Sequence, residues 1–160
     1  MTDKPRVVFD CNVLLQAAAR EKSVAAKCLN LAESGLIQIY LSREVLAEAE
    51  DVLNRLEIRE HFPDLSDEIV GAFLNRLQTL SVFVHPVPKK FSYSRDEDDE
   101  PYINLAVAAG ADFIISRDRD LLDLMIGHSR EDKEFRQRFR PLRVVEPDEL
   151  LKLVGEREGT

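Results

Sequence analysis

The residues able to do chemistry in this chain are carboxylates at the ends of apolar runs. Val7-Val8-Phe9 leads into Asp10-Cys11-Asn12, and Phe113-Ile114-Ile115 leads into Ser116-Arg117-Asp118; an apolar helix start follows each. In open parallel sheets, ligands gather outside the carboxyl ends of the strands, so an acid there is placed for chemistry. A helix cap accounts for either acid taken singly, because Asp is a favoured N-cap. Two acids delivered to one sheet edge point beyond capping. Asp118 is preferred to Asp120 because it is nearer the strand end; Asp120 is a first-turn acid that favours the helix dipole.

Two further positions bring acids toward the same edge. The run Asp96-Glu97-Asp98-Asp99-Glu100 precedes a helix carrying Ile103, Leu105, Ala106 and Ala109. Most of such a run is solvated, but one or two acids at a helix N-terminus can turn inward, oriented by free backbone N–H groups. Spacing leaves Asp98, Asp99 and Glu100 open. In the helix after the second strand, Val45, Ala49, Val52 and Leu56 recur at helical intervals, and Glu48 falls on the border of that stripe, about 40° from Val52. Glu48 can therefore face the sheet edge; the competing reading is an exposed acid paired with a basic neighbour such as Arg55.

Converging acids suit Mg²⁺ or Mn²⁺, hard ions that take oxygen ligands and keep several waters. Such an ion relieves the repulsion among the carboxylates, acidifies bound water and polarises a phosphodiester, which makes hydrolytic phosphodiester cleavage the implied reaction. Other chemistries lack their signatures. No Gly-rich loop leads into Lys-Ser or Lys-Thr, and no Gly-x-Gly-x-x-Gly follows the first strand. His61, His85 and His128 show no metal-ligand spacing and read as surface or loop residues, while Cys11 and Cys28 read as reduced packing residues.

The elements that must position these acids follow from pattern. Strands are expected over Arg6 to Asp10, Leu36 to Leu41, Ser81 to His85, Asp112 to Ser116 and Arg143 to Glu146. Helices are expected over Val13 to Arg20, Ser23 to Ser34, Arg43 to Glu57, Asp67 to Leu80, Glu100 to Ala109, Arg119 to Met125 and Asp148 to Val154. Ser42 and Ser66 stand where N-caps are wanted, and Gly35 and Gly110 where helices end. The alternation implies an α/β architecture with a largely parallel sheet. Pro86 to Arg95 reads as an extended loop; Gly127 to Pro141, charged and with Phe135 and Phe139 four apart, is either a short exposed helix or a mobile insert.

At 160 residues and 44% hydrophobic composition the chain suits one domain with a sizeable core, so residues 1–160 are read as a single unit. No run approaches a membrane span and no signal region precedes the first strand, so the expected compartment is the cytoplasm. The net charge of -8 counts against a broad phosphate-binding surface, yet acids that hold metal lower that sum without describing the groove around them.

The order and spacing of these acids resemble the PIN-domain nucleases, particularly the VapC-like toxin branch. The resemblance runs from Val7 to about Leu124 and is carried by Val7-Val8-Phe9-Asp10-Cys11-Asn12-Val13-Leu14, by Ser42-Arg43-Glu44-Val45-Leu46-Ala47-Glu48, and by Arg95-Asp96-Glu97-Asp98-Asp99-Glu100. That last segment continues through Leu105 to Asp112 into Ile114-Ile115-Ser116-Arg117-Asp118. The resemblance implies a three-layer α/β/α sandwich with a central, mainly parallel sheet. It implies that Asp10, Glu48, Asp99 and Asp118 form a catalytic and metal-binding site for Mg²⁺ or Mn²⁺, with Asn12 and Ser116 in support; counting back from Gly110-Ala111 is what selects Asp99. It further implies an endoribonuclease acting on RNA, a toxin paired with a cognate antitoxin, and a homodimer. Exposed Arg117, Arg119, Lys89 and Lys90 are candidates for guiding the RNA backbone. Cys11 departs from the family, which often has Thr or Ser there, and the last Asp is less constant than the others. Two alternatives stand beside this reading: a catalytically inactive PIN-fold module for binding or dimerisation, and a haloacid-dehalogenase-like phosphatase with Asp10 as nucleophile. The phosphatase would want Asp where Asn12 stands.

Overall fold

Five short strands form one sheet in a computed structural model that describes residues 4–158, with side chains described as far as Gly155. They are β1 (Arg6–Phe9), β2 (Gln38–Leu41), β3 (Ser81–Phe83), β4 (Phe113–Ile115) and β5 (Arg143–Val145). Their order is β3-β2-β1-β4-β5 and every pairing is parallel, so the expectation of a mainly parallel sheet holds throughout. The helices are α1 (Cys11–Ala19), α2 (Val24–Glu33), α3 (Arg43–Asn54), α4 (Leu56–His61), α5 (Asp67–Leu80), α6 (Glu100–Ala109), α7 (Arg119–Ile126), α8 (Arg130–Phe139) and α9 (Pro147–Glu158). Helix α6 lies against β1, β2 and β4, and α7 against β5 with α8 packed on it. Helices α1, α2, α3, α5 and α9 pack on one another as a second layer, which completes a three-layer α/β/α sandwich.

Strand β1 is central because it is apolar on both faces: Val7, Val8 and Phe9 are all buried. Its register with β4 pairs Val7 with Phe113, Val8 with Ile114 and Phe9 with Ile115. The ladder then continues one step, as the Asp10 N–H donates to the Ile115 carbonyl at 3.1 Å. The same step carries Ser116, whose N–H donates to the Val145 carbonyl at 3.0 Å. Asp10 and Ser116 thus emerge side by side at one edge of the sheet.

Element ends follow local chemistry. Ser23, Ser42, Ser66 and Ser129 each accept an N-cap hydrogen bond from a backbone N–H three residues on. Gly35 and Gly110 adopt positive φ (78° and 62°) and close α2 and α6. In both, paired bonds satisfy the last carbonyls: Leu36 N–H to Leu31 and Gly35 N–H to Ala32 after α2, Ala111 N–H to Ala106 and Gly110 N–H to Val107 after α6. This closure occupies Leu36, so β2 begins at Gln38 instead of Leu36.

Other boundaries depart from expectation for identifiable reasons. Helix α1 starts at Cys11, not Val13, because the Asp10 side chain caps it directly. Strand β3 stops at Phe83 because its partner β2 ends at Leu41, whose carbonyl takes the last N–H, from Val84. Strand β5 stops at Val145 because Pro147 opens α9 and the Glu146 carbonyl accepts from Leu150. The helix expected to run to Glu57 breaks at Arg55, which is extended, and α4 follows. Arg59 holds the break: its guanidinium donates to the Leu53 carbonyl at 2.6 Å and to the Asn54 side chain at 2.9 Å.

The undecided stretch from Gly127 to Pro141 contains a helix, α8. Ser129 and Asp132 form a reciprocal capping box, and Phe135 is fully buried, edge-on to Phe91 at 5.7 Å and to Phe139 at 5.6 Å. Among the described residues no helix is long and apolar enough to cross a membrane.

Candidate active site

The loop between β3 and α6 is held from several sides before it delivers its acids. Phe91 and Tyr93 are buried in the core, and Asn104 of α6 accepts from the Lys90 and Phe91 N–H groups. Glu131 of α8 accepts from the Ser94 N–H at 3.0 Å and from the Ser94 hydroxyl at 2.8 Å. Arg95 pairs with Asp120 at 2.6 Å and Asp123 at 2.8 Å on α7. A short 3-10 turn, Glu97–Asp99, follows. At about three residues per turn, Asp96 and Asp99 come to the same side.

Of the acidic run, Asp99 is the one that is buried. Glu100 is engaged elsewhere, accepting from the Tyr93 N–H at 2.8 Å and pairing with Lys89 at 3.1 Å, and Asp98 is exposed. The choice left open by spacing is therefore made by packing. Asp10 is also buried: one carboxylate oxygen accepts from the Val13 N–H at 2.9 Å and the other from the Ser116 hydroxyl. The Ser116 oxygen in turn accepts from the Asp118 N–H at 2.9 Å, and one Asp118 oxygen accepts from the Asp120 N–H at 2.8 Å. Asp10 and Asp118 are thus helix caps, as the simpler reading of each had it, and Ser116 ties the two together beneath the sheet edge. Capping uses one oxygen of Asp118 and leaves the other for the cleft.

Asp10, Asn12, Glu48, Asp99 and Asp118 line one cleft of about 290 Å³. Ser116 is wholly buried under it. Glu48 is half-buried and makes no ion pair with Arg55, which binds Asp51 at 2.8 Å instead. Asn12 stands exposed and its side chain makes no hydrogen bond to the carboxylates, so the orienting contact falls to Ser116 and the place left to Asn12 is the cleft wall.

The tightest cluster is a different subset from the expected four. Carboxylate oxygens of Asp96, Asp99 and Asp118 lie within 4.8 Å of one another. Asp96 is missing from the sequence reading, where it passed as part of a solvated charge run; the three-residue offset from Asp99 was its one readable signal. Tyr102 and Arg55 also line the cleft without having been anticipated. The buried Tyr102 hydroxyl lies beside Glu48 and Cys11 but has no partner within hydrogen-bonding geometry.

Electrostatics follow from this crowding. Burial pushes the Asp99 carboxyl up to about 8, and the charges of Asp118, Asp96, Asp10 and Asp120 add to it. Burial pushes Asp10 up to about 6 against the opposing hydrogen bonds from Ser116 and Val13. Burial also raises Glu48, and raises Asp96 with help from Asp118. The Cys11 thiol is pushed up to about 12 by burial and by Glu48, and so stays protonated. Because the Ser116 hydroxyl favours ionised Asp10, Ser116→Ala should move the Asp10 titration above its present value near 6, followed by carboxyl carbon NMR. An unmoved titration would show that Ser116 does not tune Asp10.

The donor set fits a hard divalent cation. All the converging atoms are carboxylate oxygens, and one Asp99 oxygen is buried without any hydrogen-bond partner. A buried, unpartnered carboxylate oxygen among like charges is costly unless positive charge compensates it.

Residues 6–120 match the PIN domain family. The chain belongs to the PIN-domain family. PIN domains are generally nucleases that act on RNA and typically use divalent metals, and the clustered acids here are able to bind one. An uncharacterized protein of Methanocaldococcus jannaschii, MJ1680, is 30% identical over 121 residues, covering 76% of each chain. No solved structure matches the chain. The PIN match ends at Asp120, so α7 beyond its first two residues, α8, β5 and α9 lie outside it.

Proposed function

We propose that this PIN-domain protein is a metal-dependent endoribonuclease that hydrolyses RNA phosphodiester bonds at the cleft of Asp10, Glu48, Asp99 and Asp118. The observation carrying the proposal is the Asp99 carboxylate, which has a buried oxygen without a hydrogen-bond partner and supplies an oxygen within 4.8 Å of oxygens on Asp96 and Asp118. Asp99, Asp118 and Asp96 would hold Mg²⁺ or Mn²⁺, with Asp10 and Glu48 on the flanking walls. When bound, such an ion polarises the phosphodiester and acidifies water for attack.

The chain's own groups contribute orientation and proton holding. Ser116 fixes Asp10 by donating to it while accepting from the Asp118 backbone, so one hydroxyl links the two acids. Asp99, raised to about 8, holds a proton at neutral pH until a cation displaces it. Arg55 is the one basic residue lining the cleft among the described residues and offers a donor to the phosphodiester. We extend the proposal to one domain over the whole length, since β5 completes the sheet and α9 packs on α2. The toxin role, the cognate antitoxin, the homodimer and the cytoplasmic location rest on the likeness of the sequence segments to the VapC-like branch.

The test is cleavage of single-stranded RNA with Mn²⁺ or Mg²⁺. Cleavage is expected with either ion, abolished by EDTA, and lost in Asp10→Asn. Cleavage that persists in EDTA or in Asp10→Asn would remove the site from the mechanism. Absence of both cleavage and saturable metal uptake by calorimetry would instead favour the inactive-module reading.

A further inference from the structure

Helix α8 and the start of β5, both beyond the PIN match, build a hollow of about 520 Å³ whose charged lining is entirely basic: Lys133, Arg136, Arg140 and Arg143. Met125 and Leu142 supply apolar wall. None of these four cations pairs with a carboxylate among the described residues. Arg136 is half-buried and is held by carbonyls alone, donating to Leu124 and Gly127, each at 2.7 Å. The acids of α8 are committed away from the hollow: Glu131 to Ser94, Asp132 to the capping box and Glu134 to Arg138. A second hollow of about 560 Å³ shares Pro141 and Arg143 and adds Lys4 and Arg6. Its acid, Asp112, is taken by the Arg6 backbone N–H at 2.8 Å.

Six cations with no carboxylate partner among the described residues therefore share one edge of a protein whose net charge is -8, two of them, Arg6 and Arg136, donating to backbone carbonyls. The register places that edge: Arg143 pairs with Phe113, at the start of β4, while Asp10 and Ser116 leave the far end of the sheet. The basic hollow and the acidic cleft face opposite ends of the strands, with the length of β4 between them, roughly 10 Å from Phe113 to Ser116 at about 3.3 Å per residue.

We propose that this basic edge, centred on Lys133, Arg140 and Arg143, is a second binding site that grips the phosphodiester backbone of single-stranded RNA away from the acidic cleft. Charge complementarity selects the ligand. An acidic protein has no general attraction for polyanions, so a cluster of uncompensated Arg and Lys side chains concentrates what attraction it has. Arg suits this role because its planar fork binds phosphate oxygens in pairs. The apolar wall is compatible with bases lying against it. Only the identification of the bound strand as substrate rests on the nuclease reading; the binding itself does not.

The experiment measures binding of a fluorescent single-stranded RNA of about twenty nucleotides in EDTA, where cleavage is suppressed, across a salt series. The triple variant Lys133→Ala/Arg140→Ala/Arg143→Ala alters exposed side chains only, and Arg136 is left in place because it closes α7. Expected is at least about a tenfold loss of affinity, with the slope of log K against log salt reduced by about two, since each lost contact with a single strand removes roughly 0.7. Melting temperature should match the parent. Unchanged affinity and slope would overturn the proposal, as would saturable binding of a mononucleotide or inorganic phosphate that the same variant abolishes while strand binding is unaffected. An RNA that binds through these residues yet is never cleaved with Mn²⁺ would overturn the nuclease reading and leave this one standing.

Discussion

In Asp99→Asn, RNA cleavage at saturating Mn²⁺ is expected to fall by at least about a hundredfold, while the protein without metal at pH 8 becomes more stable. Outer partners of metal ligands already cost about 10- to 100-fold when removed, and Asp99 sits inside the cluster itself. Asn keeps the shape but cannot supply the anionic oxygen that lies buried without a partner. The gain in stability has the same origin as the loss in activity. Asp99 is pushed up to about 8 by burial and by the charges of Asp118, Asp96, Asp10 and Asp120, so ionising it at pH 8 opposes folding. A neutral amide removes that opposition and can donate to a neighbouring carboxylate. The expected gain is about 1–2 kcal/mol, or roughly 2–8 °C in melting temperature for a chain of this size. A lower melting temperature without metal would mean that Asp99 is a structural residue, and undiminished cleavage would remove it from the site.

How much of this was legible beforehand depends on whether local pattern or packing decides a feature. Asp10 and Asp118 could be placed from the apolar runs before them, because a strand that ends in a helix cap has a recognisable local form. Gly35 and Gly110 were legible for the same reason: positive φ after a helix favours glycine. Asp99 was not distinguishable from Asp98 and Glu100 by spacing. Which of the three is buried depends on Phe91 and Tyr93 anchoring the preceding loop and on Tyr93 and Lys89 occupying Glu100, contacts that no periodicity encodes. Asp96 was hidden by the same run. Helix α8 was illegible by hydrophobicity, with only Phe135 and Phe139 to face inward, although Ser129 followed by Asp132 was a readable capping signal. The break at Arg55 came from Arg59 reaching back to Leu53 and Asn54, an arrangement that exists only once α4 has turned.

Without divalent ions, the melting temperature should fall as pH rises from 5 to 8, and Mn²⁺ should restore more of it at pH 8 than at pH 5. Asp10 is pushed up to about 6 and Asp99 to about 8 in the folded chain, both from the ordinary aspartate value of 3.8. Between those limits the folded chain binds more protons than the unfolded chain, so unfolding free energy declines with pH. Their contribution is complete below the unfolded value and is lost as pH climbs through 6 and then 8. Glu100 is shifted the other way by the Tyr93 N–H and Lys89, but it is ionised in both states above pH 5 and leaves that window's slope unchanged. A bound cation reverses the balance by favouring the charged carboxylates, and its effect grows as protons leave them. At a hundred times its dissociation constant it contributes about 2.7 kcal/mol, roughly 5–10 °C here. Asp99→Asn should flatten the slope without metal between pH 6 and 8 and reduce the response to Mn²⁺ together. Melting curves that are flat with pH in EDTA and indifferent to Mn²⁺ would show that these acids are not electrostatically coupled to folding, and with that the physical case for a metal at the cleft would fail.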